Sequence, residues 1–373
     1  MRRREAAFAL LPLVLAAATA AAAPGGQILP YDLAGVMGAA SASLVQPVEP
    51  GEQYPPTLQD RTLPTLPREA QPAPPRPAGG PRLSLTLDAS ITGDSNVTNA
   101  TDRTSVAVDY GGGPLPVPLD PSLREKAGIG IGLSGSAGLK LPVAEGVSLA
   151  MGAEAYMVEY QGRRGDDASL LGAGGIELSS GSGAGSLQLI AFDRWYGGAE
   201  AMKGYGVRAN WREEVAKGRH VSLYLDARQF DSGYGRAFGG RQAGAWLSYD
   251  AVLDPTLTAA GGVYVRRDRL RDDAFASTEF GAYGNLTHYL SGDLTGGLGA
   301  GISRARFDAP VPFLSAEARR DWRYYGTVWI TTRRPLAWGV FPSLTYTYSR
   351  TSSSVGFYDA DRHRLRLGFS RSF

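Results

Sequence analysis

Few residues in this sequence are suited to metal or acid–base chemistry. It contains three histidines, His220, His288 and His363, and no cysteine, so thiol catalysis, thiolate metal sites and disulfides are excluded. The histidines fall on separate strands or turns, and their spacing does not indicate that they converge on a metal. We therefore expect no metal site, no cofactor and no catalytic residue.

Carboxylates beside arginines and serines are the remaining candidates for catalysis. Glu154, Asp193 and Asp226 lie near Arg194 and Arg228 in strand-like segments, and such side chains could meet inside a fold. Charged residues at alternating positions are more simply explained by a hydrated interior lined with polar groups. The sequence is therefore interpreted as that of a protein without enzymatic activity.

A partial calcium-loop pattern occurs at Asp94 and Asn96. The full pattern D-x-[DN]-x-[DN]-G requires Asp or Asn followed by Gly, where this sequence has Thr98 and Asn99. We interpret the segment as a polar turn that follows a strand.

Composition favours an all-β protein. Among 373 residues there are 49 glycines and 18 tyrosines, and 20% of residues are charged. The net charge is only +2 and the arginines are spread along the chain, so we exclude nucleic acid as a partner.

The elements that carry these charges are alternating strands. In the first of them, Leu83, Leu85, Leu87, Ala89 and Ile91 share one face, with polar residues between them. A run of this length exceeds an ordinary strand and matches the roughly 9–11 residues that cross a bilayer. The pattern recurs, and predicts fourteen strands at 82–92, 128–141, 146–160, 168–180, 185–196, 203–214, 220–230, 241–252, 256–268, 276–289, 293–305, 322–333, 341–350 and 362–373.

Connections between these strands alternate in length. Long ones are expected at 94–127 and around 161–167, 197–202, 231–240, 269–275, 306–321 and 351–361, and short ones between them. Long loops on one side and short turns on the other are typical of outer-membrane barrels. We predict a transmembrane antiparallel β-barrel of about 14 strands in the outer membrane of a Gram-negative bacterium, in contact with its lipids and with both termini periplasmic.

The N-terminal region differs from the rest of the chain. Residues 1–23 combine a basic start, an apolar run and alanine-rich cleavage sites, which predicts a signal peptide. Residues 24–81 are rich in proline and are predicted to form a largely disordered periplasmic segment. The barrel is predicted to span 82–373.

Two further sets of residues have expected roles. The last strand carries Leu365, Leu367, Phe369 and Phe373 on one face, which resembles the C-terminal signature that barrel-insertion machinery recognises, although Arg371 interrupts it. The charged residues expected to line the lumen are Lys140, Arg194, Arg208, Arg212, Asp226, Arg228, Arg241, Arg304 and Arg306.

The two ends of the predicted barrel resemble a known family. ASITGDSNVTNATD, which contains Asp94-Ser95-Asn96-Val97, and the C-terminal segment FPSLTYTYSRTSSSVGFYDADRHRLRLGFSRSF resemble the barrel of the surface lipoprotein assembly modifiers. The resemblance implies a fourteen-stranded barrel that helps a surface lipoprotein or secreted protein client reach the cell surface. Family members commonly carry a periplasmic helical-repeat domain before the barrel, whereas this chain has the proline-rich segment there.

Two functions therefore remain open. The first is a secretion factor of the kind that the resemblance implies. The second is a passive outer-membrane channel for small solutes, in which a ring of mixed charges would tune selectivity.

Overall fold

The computed structural model describes residues 80–109, 113–162, 165–290, 293–312, 314–332 and 334–373. The predicted signal peptide and all but the last two residues of the proline-rich segment lie outside this range. Within it, no helix combines the length and the apolar character needed to cross a membrane.

The described residues form sixteen strands and four short 3-10 helices. The strands are β1 (Arg82–Asp94), β2 (Ser105–Asp109), β3 (Pro114–Pro118), β4 (Gly128–Ala144), β5 (Val147–Tyr160), β6 (Asp167–Ser180), β7 (Gly183–Tyr196), β8 (Ala199–Ala216), β9 (Arg219–Ser232), β10 (Gly240–Asp254), β11 (Leu257–Leu270), β12 (Ser277–Tyr289), β13 (Leu294–Pro310), β14 (Ala318–Thr332), β15 (Phe341–Ser353) and β16 (Ala360–Ser372). The 3-10 helices are Pro121–Leu123, Arg236–Phe238, Ala337–Gly339 and Gly356–Tyr358.

Fourteen of these strands close into one antiparallel barrel. Strands β4 to β16 each pair with the next, and β1 pairs with β4 on one side and β16 on the other. At the closure, the register runs from Thr86 opposite Ser372 to Asp94 opposite Arg364. Closure leaves no free sheet edge and pairs the backbone groups that lipid cannot satisfy. The predicted barrel and its strand number are confirmed.

The outer face of the barrel is apolar. Leu83 is 76% exposed, Leu189 is 70% exposed and Ile131 is 63% exposed, whereas the intervening residues point into the lumen. A continuous exposed apolar surface of this kind requires lipid to cover it.

Loops are longer at one end of the barrel, as predicted, but two connections differ from their predicted lengths. We call the end reached by Asp94 the long-loop end and the opposite end the short-turn end. The connection predicted around 197–202 is a two-residue turn, because Gly197 and Gly198 both adopt positive φ, at 59° and 84°. The connection at 333–340 contains a 3-10 helix and is longer than the other turns at its end.

The first long connection contains structure that the sequence pattern did not predict. Strands β2 and β3 form an antiparallel hairpin from Ser105 opposite Pro118 to Asp109 opposite Pro114. Three prolines in PLPVP hide the strand signal, because proline cannot donate a ladder hydrogen bond. An isolated two-stranded hairpin tolerates them, since its outer edges are unpaired.

Inside the barrel, aromatic rings lie over glycines on neighbouring strands. A Cβ atom added to Gly297 would lie 2.6 Å from the Trp329 indole, and one added to Gly262 would lie 2.7 Å from the Tyr283 hydroxyl. These glycines leave space for the rings to lie flat against the wall. Many of the glycines in the strands therefore serve the packing of the lumen.

Candidate functional site

Asp94 forms a buried charge pair where β1 meets β16. Its carboxylate accepts hydrogen bonds from both Nε and Nη2 of Arg362 on β16 and from the Tyr160 hydroxyl of β5 at 3.1 Å. The Asp94 side chain is 0% exposed and that of Arg362 is 13% exposed. Bidentate pairing of this kind fixes both position and orientation, so the contact holds the first strand against the last.

Ser95 and Asn96 extend this connection past the end of the ladder. Ser95 donates its backbone N–H to the His363 carbonyl at 2.9 Å, and its hydroxyl accepts the His363 N–H at 2.9 Å. The Asn96 amide donates to the carbonyls of Asp361 at 2.9 Å and Ala100 at 2.8 Å. Asn96 is fully buried, so its amide is a structural tie between the loop and β16.

Val97 turns the chain inward over the lumen. Its side chain packs against Val158 and Tyr160 of β5, and its carbonyl accepts a hydrogen bond from the Tyr196 hydroxyl of β7 at 3.1 Å. The four motif residues therefore connect β1, β16, β5 and β7 at the long-loop end. The sequence indicated the motif but not its partners, because the partners are set by the barrel register.

The Asp94 contact depends on a glycine beneath Tyr160. A Cβ atom on Gly130 would lie 2.7 Å from Tyr160 Cε1 and 3.1 Å from Val158 Cγ2. We expect Gly130→Ala to displace the tyrosine from Asp94 and to lower the free energy of unfolding by about 1–3 kcal/mol.

Urea unfolding of the lipid-embedded barrel, followed by tryptophan fluorescence, measures the Gly130→Ala effect. Gly93→Ala is the matched control, since nothing lies within 4 Å of a Cβ placed there, and it should change stability by less than about 0.5 kcal/mol. Equal effects of the two substitutions would contradict the packing described for Tyr160.

Six of the nine charged residues expected in the lumen point into it. They share their strand faces with buried or half-buried side chains and alternate with exposed apolar residues. These six residues are Lys140, Arg194, Arg208, Arg212, Asp226 and Arg228.

The expectation that Arg241, Arg304 and Arg306 line the lumen was wrong. Arg241 shares its face of β10 with exposed Leu247, and the two other arginines share their face of β13 with exposed Ile302. A strand alternates strictly, so all three side chains lie on the outer face. They are near the long-loop end, where an outward arginine can extend to water or to lipid headgroups.

Lumen charges near the long-loop end are neutralised in pairs. Arg194 pairs with Asp167, and Arg228 Nε lies 2.7 Å from Asp226 Oδ1. Nearer the short-turn end, Arg212 Nη2 lies 2.7 Å from Asp250 Oδ2 and Lys140 Nζ lies 2.5 Å from Glu177 Oε2. The lumen surface is therefore polar, with both signs of charge interspersed.

A buried cluster on β11, β12 and β14 was missed by the sequence analysis. Glu279 accepts hydrogen bonds from the Tyr264 hydroxyl at 2.7 Å, Arg266 Nη2 at 3.0 Å and Arg323 Nη1 at 2.7 Å. Glu279 is 3% exposed. Strand alternation alone predicts that the side chains of these three partners point inward, but it does not predict that they lie at the same height in the barrel.

A second buried arginine ties a loop to the wall. Arg319 of β14 is 1% exposed and lies between two rings, 3.6 Å from the centroid of Phe307 and 3.7 Å from that of Tyr358. Its Nε lies 3.4 Å from Asp321 Oδ2. Because Tyr358 belongs to the connection between β15 and β16, this stack holds that connection inside the barrel mouth.

Two loop groups have shifted pKa values. Burial, reinforced by Asp361 and Asp102, raises the pKa of the Glu125 carboxyl. Burial also raises the pKa of the Tyr358 hydroxyl, against the opposing effect of Arg319. Glu125 lies in the same connection as the motif, between β1 and β4, so its ionisation places a further negative charge near Asp361.

The residues considered for metal binding or catalysis are not brought together. His220 lies in the lumen beside Asp250, whereas His288 and His363 lie on the outer faces of β12 and β16. Within the described ranges, no three His, Cys, Asp or Glu side chains form a possible metal site. Glu154 faces the lumen and Asp193 faces outward, so these two carboxylates are separated by the barrel wall.

The last strand presents its apolar residues to the outside. Leu365 is 51% exposed, Leu367 is 40% exposed and Phe369 is 37% exposed, and Phe373 follows at 60%. Arg371, which interrupts this face, lies with its guanidinium 4.4 Å from the Phe373 ring centroid. The interruption is therefore covered by an aromatic contact at the short-turn end.

A closed fourteen-stranded barrel with an apolar outer face and a polar lumen defines an outer-membrane β-barrel protein. The family profile described as surface lipoprotein assembly modifier matches residues 84–373. The chain belongs to this family, and the match covers the barrel except for the first two residues of β1.

Solved structures with a similar fold are distant. The outer-membrane channel DcaP of Acinetobacter baumannii is 10% identical, with 79% of this chain and 98% of that chain covered and a TM-score of 0.43. A FadL homologue of Pseudomonas aeruginosa is 9% identical, with 79% and 89% covered and a TM-score of 0.41. OmpT of Vibrio cholerae lacking loop L8 is 7% identical, with 79% and 100% covered and a TM-score of 0.42. Among curated proteins, no similar sequence is found.

Proposed function

We propose that this barrel assists the transfer of lipoproteins, or related secreted clients, from the periplasm to the cell surface. The observation that carries the proposal is the family match over residues 84–373. In this proposal the long-loop end faces outward and both termini are periplasmic, as is usual for barrels with asymmetric loops. The C-terminal apolar face then contacts the barrel-insertion machinery during assembly.

The polar lumen is compatible with a protein client. Paired charges such as Arg212 with Asp250 and Arg228 with Asp226 give a surface without one dominant sign. A lumen wall with balanced charge does not bind a positively or negatively charged segment strongly. An extended client chain could therefore pass through it without being retained. The proline-rich segment before the barrel is the proposed place of client contact in the periplasm.

We propose no catalytic role. The carboxylates considered for catalysis are either engaged in ion pairs, as Asp226 is with Arg228, or placed on opposite sides of the barrel wall. General acid–base catalysis requires such groups to meet around one substrate.

Protease shaving of intact cells, followed by mass spectrometry, tests the export proposal. A wild-type strain, a deletion strain and a complemented deletion strain are compared. We expect one or a few lipoproteins to disappear from the shaved fraction of the deletion strain, to remain in its whole-cell lysate, and to return on complementation. An unchanged shaved fraction, with the barrel present in the wild type, would contradict export.

A passive channel is the second candidate. It is favoured by the mixed charges on the lumen wall, which are the groups that tune solute selectivity in a channel. Planar-bilayer recordings distinguish the two candidates, because a channel gives steady conductance without a client. Steady conductance together with an unchanged shaved fraction would favour the channel.

A further inference from the structure

The outer face of β10 to β14 carries a patch of arginines at the long-loop end. We call it the outer arginine patch. Its members are Arg241, Arg267, Arg269, Arg304, Arg306 and Arg320. Arg241 lies opposite Arg269 and Arg306 lies opposite Arg320 in the strand register.

The patch forms one continuous surface. Thr278 of β12 lies opposite both Arg267 and Arg306, so those two arginines sit at the same height on either side of it. Next to them lie exposed aromatic rings, with Phe280 at 61% and Trp322 at 40% exposed. The Arg304 guanidinium carbon lies 5.2 Å from the Trp322 ring centroid.

Much of the positive charge in this patch is uncompensated. Arg267 pairs with Asp308, and Arg320 Nη2 lies 3.5 Å from Glu317 Oε2. Among the described residues, no carboxylate lies within 4.0 Å of the nitrogens of Arg241, Arg304 or Arg306. The Arg304 Nε is buried and has no hydrogen-bond acceptor.

The opposite side of the barrel has a different character. At the same end, the outer faces of β5, β7 and β9 present Glu159, Asp193 and Asp231, and β8 presents Lys203. The basic surface is thus local to β10–β14 and is not a general property of this rim.

We propose that the outer arginine patch binds the phosphate groups of the glycolipid that forms the outer leaflet. Guanidinium groups bind phosphate in a bidentate manner and remain charged, and the rings below them offer contacts for acyl chains. The inference rests on the proposed orientation, since only an outward long-loop end meets that leaflet. The lipid would then fix the barrel's height and rotation beside the surface where clients emerge.

Native mass spectrometry of the purified full chain in detergent, titrated with phosphorylated lipid A, tests this proposal. The patch variant carries Arg269→Gln, Arg304→Gln and Arg306→Gln. The matched control carries Lys203→Gln, Arg219→Gln and Arg334→Gln, which removes the same number of positive charges from exposed positions outside the patch. We expect the patch variant to bind lipid A at least about tenfold more weakly and the control to bind as the wild type does.

Several results would overturn the proposal. They are wild-type affinity in the patch variant, an equal loss in the control, and equal binding of dephosphorylated lipid A or phosphatidylglycerol by the wild type. If the triple variant does not fold, Arg306→Gln alone carries the test, because that side chain is exposed and a several-fold loss is still expected.

Failure of this inference can be separated from failure of the proposed function. Because the chain lacks cysteine, Ala316→Cys at the long-loop end and Lys217→Cys at the short-turn end can be labelled in intact cells with an impermeant maleimide. Labelling of Cys at 316 alone supports the orientation, and labelling at 217 alone overturns both proposals. Undiminished lipid A binding by the patch variant, with normal export of clients, overturns only the lipid site.

Discussion

Asp94→Ala is expected to lower the free energy of unfolding of the barrel by about 3–5 kcal/mol, because it leaves the Arg362 guanidinium buried without its counter-ion. The carboxylate also accepts the Tyr160 hydroxyl, so a second buried group loses its partner. Urea unfolding in lipid vesicles gives the free energy, and the temperature at which the folded band disappears on a gel gives an independent measure.

A surface pair provides the control for Asp94. Asp231 Oδ1 lies 3.1 Å from Arg271 Nη2, and the two side chains are 69% and 51% exposed, so Asp231→Ala should cost less than about 1 kcal/mol. The double variant Asp94→Asn with Arg362→Gln should be more stable than Asp94→Ala, because it removes the uncompensated charge. Equal costs for Asp94→Ala and Asp231→Ala would show that the first and last strands are not held together by this pair.

Glu279→Ala should have an effect of similar size, about 3–5 kcal/mol, because it removes the carboxylate shared by Arg266 and Arg323. These two arginines would repel each other across the vacated position, and the Tyr264 hydroxyl would lose its acceptor. Glu279→Gln keeps a hydrogen-bond acceptor for the Tyr264 hydroxyl, so we expect it to lower the free energy of unfolding less than Glu279→Ala does. The same urea unfolding experiment measures both variants.

Glu177→Ala is the matched control for the Glu279 prediction. It also removes a lumen carboxylate from an ion pair, but Lys140 and Glu177 remain 41% and 34% exposed. Solvent should reduce the cost of its loss to about 1 kcal/mol or less. An equally small loss of unfolding free energy for Glu279→Ala would contradict the prediction. It would mean that the lumen around Glu279 is as well hydrated as the lumen around Glu177.

Strand positions were predictable because the signal is local. Alternation in Leu83 to Ile91 repeats along the barrel, and each of the fourteen barrel strands overlaps its predicted range. The hairpin of β2 and β3 was not predictable in this way, because three of the five residues of its second strand are proline and no lipid or lumen face imposes alternation on it.

Side-chain partners were much harder to predict than strands. The contact between Asp94 and Tyr160 joins strands that are not neighbours, and the contact between Glu279 and Arg323 spans two ladders, so both depend on the height of each strand in the closed barrel. The alternation of β13 did contain the information that places Arg304 beside Ile302. The prediction placed all of these charges in the lumen and so disregarded the alternation of β13. A charged residue near the membrane boundary can instead lie on the outer face.

Surface exposure of clients, followed in time after the chain is restored, tests export by this protein most directly. The deletion strain carries the full chain under an inducible promoter, and protease shaving with mass spectrometry is repeated at intervals after induction. We predict that the same lipoproteins enter the shaved fraction as the folded barrel accumulates, while their total amounts stay constant. A fully folded barrel in the outer membrane with no change in the shaved fraction would contradict export by this chain.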